Sequence, residues 1–129
     1  MKIESFTPNL KVENVSNTIE FYKAILGFNI VAMLPEKDPI WALMQNNNAT
    51  IMFQQSKSFE QEGMHTEKLI GGSFFFYIKI LQLDQLYLNI KDKVKIKKHP
   101  HVTSYNMKEF AIEDCNKYII IFAEEQPKE

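Results

Sequence analysis

His99 and His101 flank Pro100. On a strand this spacing puts two imidazoles on one face, and the chemistry it suggests is metal ligation. A metal needs a third and a fourth donor, and none stands at a helpful spacing, so an ordinary strand-end or loop pair is expected. His65 falls in a polar stretch and reads as a solvated loop side chain. Cys115, the single cysteine, sits in a predicted tight turn with no recognisable base or oxyanion hole, so an inert thiol is expected. Glu109, Glu113 and Asp114 have the chemistry of a general base, but carboxylates on strands near turns are usually solvated, and that is the expectation here. Lys91, Lys93, Lys95, Lys97 and Lys98 partly alternate, which marks an exposed strand face or a charged edge that resists pairing. Gly71 and Gly72 have no helix start behind them and read as a flexible joint, not a phosphate cradle.

Composition narrows the classes further. The chain has 129 residues, 45% apolar and 24% charged, the profile of one globular domain. Fifteen basic against sixteen acidic side chains leave a net charge of -1, so nucleic acid and anionic membranes are not expected partners. Every basic residue is lysine, which removes any arginine fork for a carboxylate or phosphate. One cysteine cannot form an internal disulfide, which fits a reducing cytosol. No basic-then-apolar leader opens the chain, and the apolar runs Phe74 to Leu81 and Ile119 to Ala123 are strand-length, too short to span a bilayer. A cytoplasmic protein is expected.

The elements that must position these residues are written twice. A short alternating stretch ends at Val12. Val15, Ile19, Tyr22 and Leu26 then recur at helical spacing, with Asn14 or Ser16 as cap and Gly27 where a left-handed residue is wanted. Three strand-like runs follow, Phe28 to Leu34, Ile40 to Gln45 and Ala49 to Gln55, with an asparagine turn between the last two. The second copy has a strand at Phe74 to Ile80 and a weaker helical stripe at Leu83, Leu86, Tyr87 and Ile90. Its other strands run Val94 to Lys98, Lys108 to Glu113 and Tyr118 to Ala123. Aligning the copies lays Val12 on Ile78, Trp41 on Phe110 and Leu43 on Ile112. The expected architecture is α+β, two βαβββ modules in tandem at about 5–55 and 73–125. Residues 56–72 form a linker long enough for a turn of helix. Helices on one side of antiparallel strands leave the other side to line an open cup.

This pattern resembles the vicinal oxygen chelate superfamily of glyoxalase I, extradiol dioxygenases and bleomycin resistance proteins. The residues that carry the resemblance are Pro8-Asn9-Leu10-Lys11-Val12 and Phe21-Tyr22-Lys23-Ala24-Ile25-Leu26-Gly27-Phe28 in the first module. In the second they are Lys108-Glu109-Phe110-Ala111-Ile112-Glu113-Asp114 and Ile121-Phe122-Ala123-Glu124-Glu125, which look most like the bleomycin resistance branch. The chain departs from the family in its last hairpin, Asp114 to Tyr118, where a proline and a glycine are common. It also has Tyr105-Asn106 in place of an aromatic-glycine pair, and a second helix without a strong N-cap.

The resemblance implies a divalent metal held by the first and last strands of each module. Those positions fall on Thr7, Met52, Ser73 (or Phe74) and Ile121, which are a hydroxyl, a thioether, a hydroxyl and a hydrocarbon. Nickel, zinc or iron wants imidazole, thiolate or carboxylate donors, so no metal and no cofactor is expected. Counting by twos from these positions selects Asn9 and Lys11, Thr50 and Gln54, Phe75 and Tyr77, and Ile119 and Ala123 for the cup. Trp41 borders it, and Tyr105 lies in a loop that approaches it in relatives. The expected ligand-binding set is therefore Thr7, Asn9, Lys11, Trp41, Met52, Gln54, Phe75, Tyr77, Tyr105 and Ile121, with no catalytic residue. The implied function is metal-independent sequestration of a small organic molecule, with a glyoxalase-type lyase or isomerase as the alternative. A homodimer is expected, since open cups in this superfamily are commonly completed by a second chain.

Overall fold

Asn14 starts the first helix as the sequence predicts. Its side-chain oxygen accepts the Asn17 N–H at 2.9 Å, and Gly27, at φ 70°, ends the helix in the left-handed conformation. The computed structural model describes residues 1–61, 63 and 75–128. Ser73, Phe74, His65, Gly71 and Gly72 lie outside the described residues. The chain divides into two compact units, Met1–Ile70 and Gly71–Glu129.

The first unit contains β1 (Asn9–Val12), α1 (Val15–Leu26), β2 (Asn29–Leu34), β3 (Trp41–Asn46), β4 (Ala49–Gln55) and a short α2 (Ser56–Gln61). The strands form one mixed sheet in the order β1-β4-β3-β2, with β1 parallel to β4 and the other pairs antiparallel. Strand alternation sends Leu10, Val12, Ala42, Met44, Ile51 and Phe53 to one face, where α1 covers them with Val15, Ile19 and Tyr22. Tyr22 lies 4.7 Å from Phe53 and 5.6 Å from Phe28, ring centre to ring centre. Burying an aromatic of this size contributes roughly 2–3 kcal/mol.

The second unit contains β5 (Phe75–Lys79), α3 (Leu83–Ile90), β6 (Lys95–Val102), β7 (Met107–Glu113) and β8 (Ile119–Glu125). Its sheet has the equivalent order, β5-β8-β7-β6, with β5 parallel to β8. Phe110, Ile112, Ile120 and Phe122 are buried on the face that carries α3, with Tyr87 of that helix 5.3 Å from Phe110. The predicted α+β plan of two βαβββ modules is therefore the observed one. The weak N-cap predicted for the second helix is also present: Gln82 occupies the cap at φ 60° with no side-chain hydrogen bond. Glu124 of β8 supplies the cap instead, accepting the Gln82 and Leu83 N–H groups at 2.7 and 3.1 Å.

One alignment of the repeat needs correction. Trp41 and Leu43 pair with Gln54 and Met52 on the face away from α1, whereas Phe110 and Ile112 are fully buried on the helix-covered face. The counterparts of Phe110 and Ile112 are Ala42 and Met44, which are also fully buried. A slip of one residue exchanges the faces of a strand, and β3 carries apolar residues on both sides, so its hydrophobicity alone did not reveal it.

Candidate functional site

Each sheet has a face that its long helix does not cover, and these faces carry the predicted site residues. In the first unit, register places Asn9 beside Met52 and Lys11 beside Gln54, with Leu43 and Trp41 next along β3. Thr7 precedes β1, and its hydroxyl shares a 2.7 Å hydrogen bond with that of Thr50. Trp41, Met52 and Lys11 are half-buried. Gln54 is buried, because its amide is engaged on both sides. Its Oε1 accepts from Asn9 Nδ2 at 2.8 Å, and its Nε2 donates to Ser58 of α2 at 3.1 Å. The predicted turn of helix after β4 is α2, and it holds Gln54 in place.

In the second unit, Phe75 and Tyr77 stand two residues apart on β5, beside Ile119 and Ile121 of β8. Ala111 and Glu109 of β7 continue the same face, and His101 and Lys98 of β6 complete it. Phe75, Tyr77 and Tyr105 leave 65%, 49% and 63% of their surfaces in solvent, although each is a large aromatic ring. Such rings grouped on one face are unusual for a surface with no role in binding.

Glu109 joins the two tyrosines of this face, while Phe75 stands two cross-strand rows away, in the row of Ile119 and Glu113. The Tyr77 hydroxyl donates to its Oε2 at 2.5 Å and the Tyr105 hydroxyl donates to the same oxygen at 2.9 Å. Tyr105 is aimed there by a tight turn. Thr103 and Met107 pair through their backbones, the Thr103 hydroxyl accepts the Met107 N–H, and Asn106 takes a left-handed φ of 64°. Asparagine thus fills the position where glycine was the alternative. Donation to Glu109, reinforced by desolvation and the carboxylate's charge, pushes the Tyr77 pKa up to about 12. The Tyr105 pKa is raised as well, first by its hydrogen bond to Glu109. Both phenols therefore remain donors at neutral pH.

The solvated carboxylates expected on these strands are not what the fold contains. Glu109 and Asp114 are 6% and 5% exposed. Asp114 is a turn residue whose Oδ1 accepts the Asn116 and Tyr118 N–H groups at 2.8 and 2.9 Å. Glu113 meets Lys95 and Lys97, each at 3.5 Å. Sequence reasoning placed Tyr77 and Tyr105 near a ligand but missed that Glu109 joins them. The available signal was its place four residues after Tyr105 and directly before the apolar run Phe110 to Ile112.

The histidine pair separates. β6 runs through it to Val102, but an irregularity between Lys98 and His101 breaks the alternation. His99 Nδ1 bonds the Tyr87 hydroxyl of α3 at 3.0 Å, while His101 lies opposite Glu109 on the other face. Among the described residues, no three histidine, cysteine, aspartate or glutamate side chains are grouped to hold a metal ion. The donors at the implied metal positions, Thr7, Met52 and Ile121, do not fit one. A cleft of about 340 Å³ lies on the helix side of the first sheet, bordered by Ser16, Ile19, Glu20, Ile30 and Met33. None of the predicted site residues borders it.

The fold and these faces define a class. The family model described as Glyoxalase/Bleomycin resistance protein/Dioxygenase superfamily matches residues 3–122. The chain belongs to that superfamily. None of the curated proteins compared with it matches. Among solved structures, it is similar to a glyoxalase/bleomycin resistance protein/dioxygenase from Nocardioides, with 12% identity and a TM-score of 0.79 over 100% of this chain and 88% of that one. It is similar to the hypothetical protein SA1046 from S. aureus, with 20% identity and a TM-score of 0.76 over 95% of each chain. TioX from Micromonospora sp. ML1 is 11% identical, with a TM-score of 0.73 over 92% of this chain and 95% of that one. At these identities the likeness concerns the fold. No helix among the described residues is long and apolar enough to cross a membrane.

Proposed function

We propose that this chain captures a small organic molecule on the open faces of its sheets and does so without a metal ion. The observation that carries this reading is the set of exposed aromatic rings on one sheet face, Tyr77 and Tyr105 on a buried carboxylate and Phe75 further along β5. Rings held in solvent by a hydrogen-bonded frame lose little freedom when a flat molecule covers them, so burial is translated efficiently into affinity. The uncovered face of the first sheet carries Trp41 and Met52 as apolar surface, with the Lys11 ammonium in the row of Trp41 and Gln54. Thr7, Met52 and Ile121 lack the donors that metal-dependent turnover needs, which favours sequestration over a lyase or isomerase reaction.

The modules at about 5–55 and 73–125 act as one binding domain in this reading. Two copies of the chain associate, and the protein works in the reducing cytosol, where the exposed Cys115 stays a thiol. The test is a titration of intrinsic fluorescence, from Trp41 on one sheet and the tyrosines on the other, against a panel of aromatic compounds. Saturable binding without chemical change of the compound is expected. No binding across the panel, or conversion of a bound compound, overturns the reading.

A further inference from the structure

We propose that Glu109 is the counter-charge for an organic ammonium group, received between the rings of Tyr77 and Tyr105. This rests on the capture reading above and narrows its ligand class to amines with an aromatic or apolar body. Glu109 is 94% buried, yet both of its donors are neutral phenols and both end on Oε2. Among the described residues, no lysine or histidine forms an ion pair with Glu109 and no hydrogen bond ends on Oε1; since no buried side-chain oxygen there lacks a partner, Oε1 is the corner of the carboxylate that solvent reaches.

The basic side chains that share its face are close in register but form no ion pair with it. Lys79 and His101 occupy the same cross-strand row, through Ala123 in the first case and directly in the second, and Lys98 lies one row away opposite Ala111. The His101 Nδ1 is turned to the His99 carbonyl, at 2.8 Å. Four other carboxylates of this unit are matched differently. Glu113 has two lysines, Asp84 has Lys108 at 2.7 Å, and Asp114 and Glu124 each take two backbone N–H groups. Glu109 alone among these five is left with phenols.

A largely buried carboxylate with one open oxygen pairs more strongly with an ammonium when the apolar body of the same molecule covers the pair and excludes water. Aromatic faces attract the same cation through their quadrupoles. Phenols that donate to Oε2 fix the carboxylate and leave Oε1 as the acceptor for an ammonium N–H. A neutral ligand gains only the ring contact, and an anion is repelled.

The intact protein is titrated by calorimetry with 2-phenylethylamine and with its neutral twin 2-phenylethanol, at neutral pH and low salt. The amine is expected to bind about tenfold tighter than the alcohol. Glu109→Gln is expected to abolish the amine's advantage over the alcohol. Equal affinities in the unmodified protein, or an unaltered preference in Glu109→Gln, overturn the proposal while capture itself stands. Binding of neither compound overturns it too, and when no compound of the aromatic panel binds, the capture reading falls with it. Should Glu109→Gln fail to fold, NMR of the unmodified protein decides. The amine must move the Glu109 carboxyl and Tyr77 and Tyr105 ring resonances, and shifts confined to other residues overturn the assignment.

Discussion

The carboxylate of Glu124 accepts the backbone N–H of Leu83 at 3.1 Å, so a residue of β8 caps a helix that begins about forty positions earlier in the chain. The same carboxylate takes the Gln82 N–H at 2.7 Å and sets a negative charge at the positive end of α3. Glu124→Ala should cost about 1–2 kcal/mol in urea denaturation, the usual cost of a lost cap with part of its surroundings desolvated. Glu124→Gln, which keeps one acceptor, should lose less. Equal stability of Glu124→Ala and the unmodified protein would show that the cap is idle.

That contact also marks the limit of what could be read in advance. Helix α1 was legible to the residue because all its signals are local: Asn14 at the cap, Ile19 and Tyr22 on one stripe, Gly27 at the end. The doubled βαβββ order was legible because it depends on periodicity. The cap of α3 was not, since its partner is distant in sequence. Nor was the partner of Phe110 in the first module, because β3 is apolar on both sides and a one-residue slip there leaves no trace in composition. Glu109 was misread as solvated because its burial depends on Tyr77 and Tyr105, one brought by strand pairing and the other by a turn. The separation of His99 from His101 depends on a bulge, which neither residue announces.

The hydrogen bonds to Glu109 give the site a pH signature. The folded Tyr77 pKa, about 12, lies above its ordinary value of 10.0. A group whose folded pKa is raised contributes stability that is complete below the unfolded pKa. That contribution is lost as pH climbs through the folded value. Stability should therefore fall between pH 10 and about 12 more steeply than in Tyr77→Phe. In absorbance titration near neutral salt, Tyr77 should ionise late, and Tyr77→Phe should lack that late phase. A phenol at position 77 that ionises with the exposed tyrosine population would refute the arrangement. Because Tyr77 is half exposed, the stability change should be small and the spectral change clear.

The last hairpin invites a stabilising substitution. Lys117 has a φ of 69°, a conformation in which a side chain is strained, and its N–H closes the turn on the Asp114 carbonyl at 3.1 Å. Lys117→Gly should relieve about 0.5–1 kcal/mol, the left-handed penalty less the added freedom of the unfolded chain. Asp114→Ala should act the opposite way and cost about 2–3 kcal/mol, since it strips the acceptor from the Asn116 and Tyr118 N–H groups. Thermal melts of the two variants in opposite directions would support the turn; a destabilised Lys117→Gly would contradict it.

Gly27 makes a sharper comparison, because space and backbone conformation can be separated there. A methyl group added at Gly27 would meet only Asn46 Nδ2, at 3.6 Å, which is ordinary contact. That nitrogen donates to the Leu26 carbonyl at 3.0 Å and need not move. The cost of Gly27→Ala is then the left-handed backbone alone, about 1 kcal/mol. Gly27→Asn, which tolerates that conformation better, should lose about half as much. A loss several times larger in Gly27→Ala would mean that the helix end is crowded.

The absence of suitable donors at Thr7, Met52 and Ile121 predicts indifference to metal. Protein purified without an affinity tag should keep its Tm on treatment with chelator, because nothing that binds the folded state is then removed. Excess zinc or nickel should leave Tm unchanged for the same reason. A ligand of the amine class should raise it, and by the same increment with or without chelator. Glu109→Gln should abolish most of that increment while leaving the unliganded Tm close to its starting value, since the two phenols can still donate to the amide oxygen. A chelator-sensitive Tm would show that the fold recruits an ion through donors other than these three, and capture without metal would no longer describe the protein.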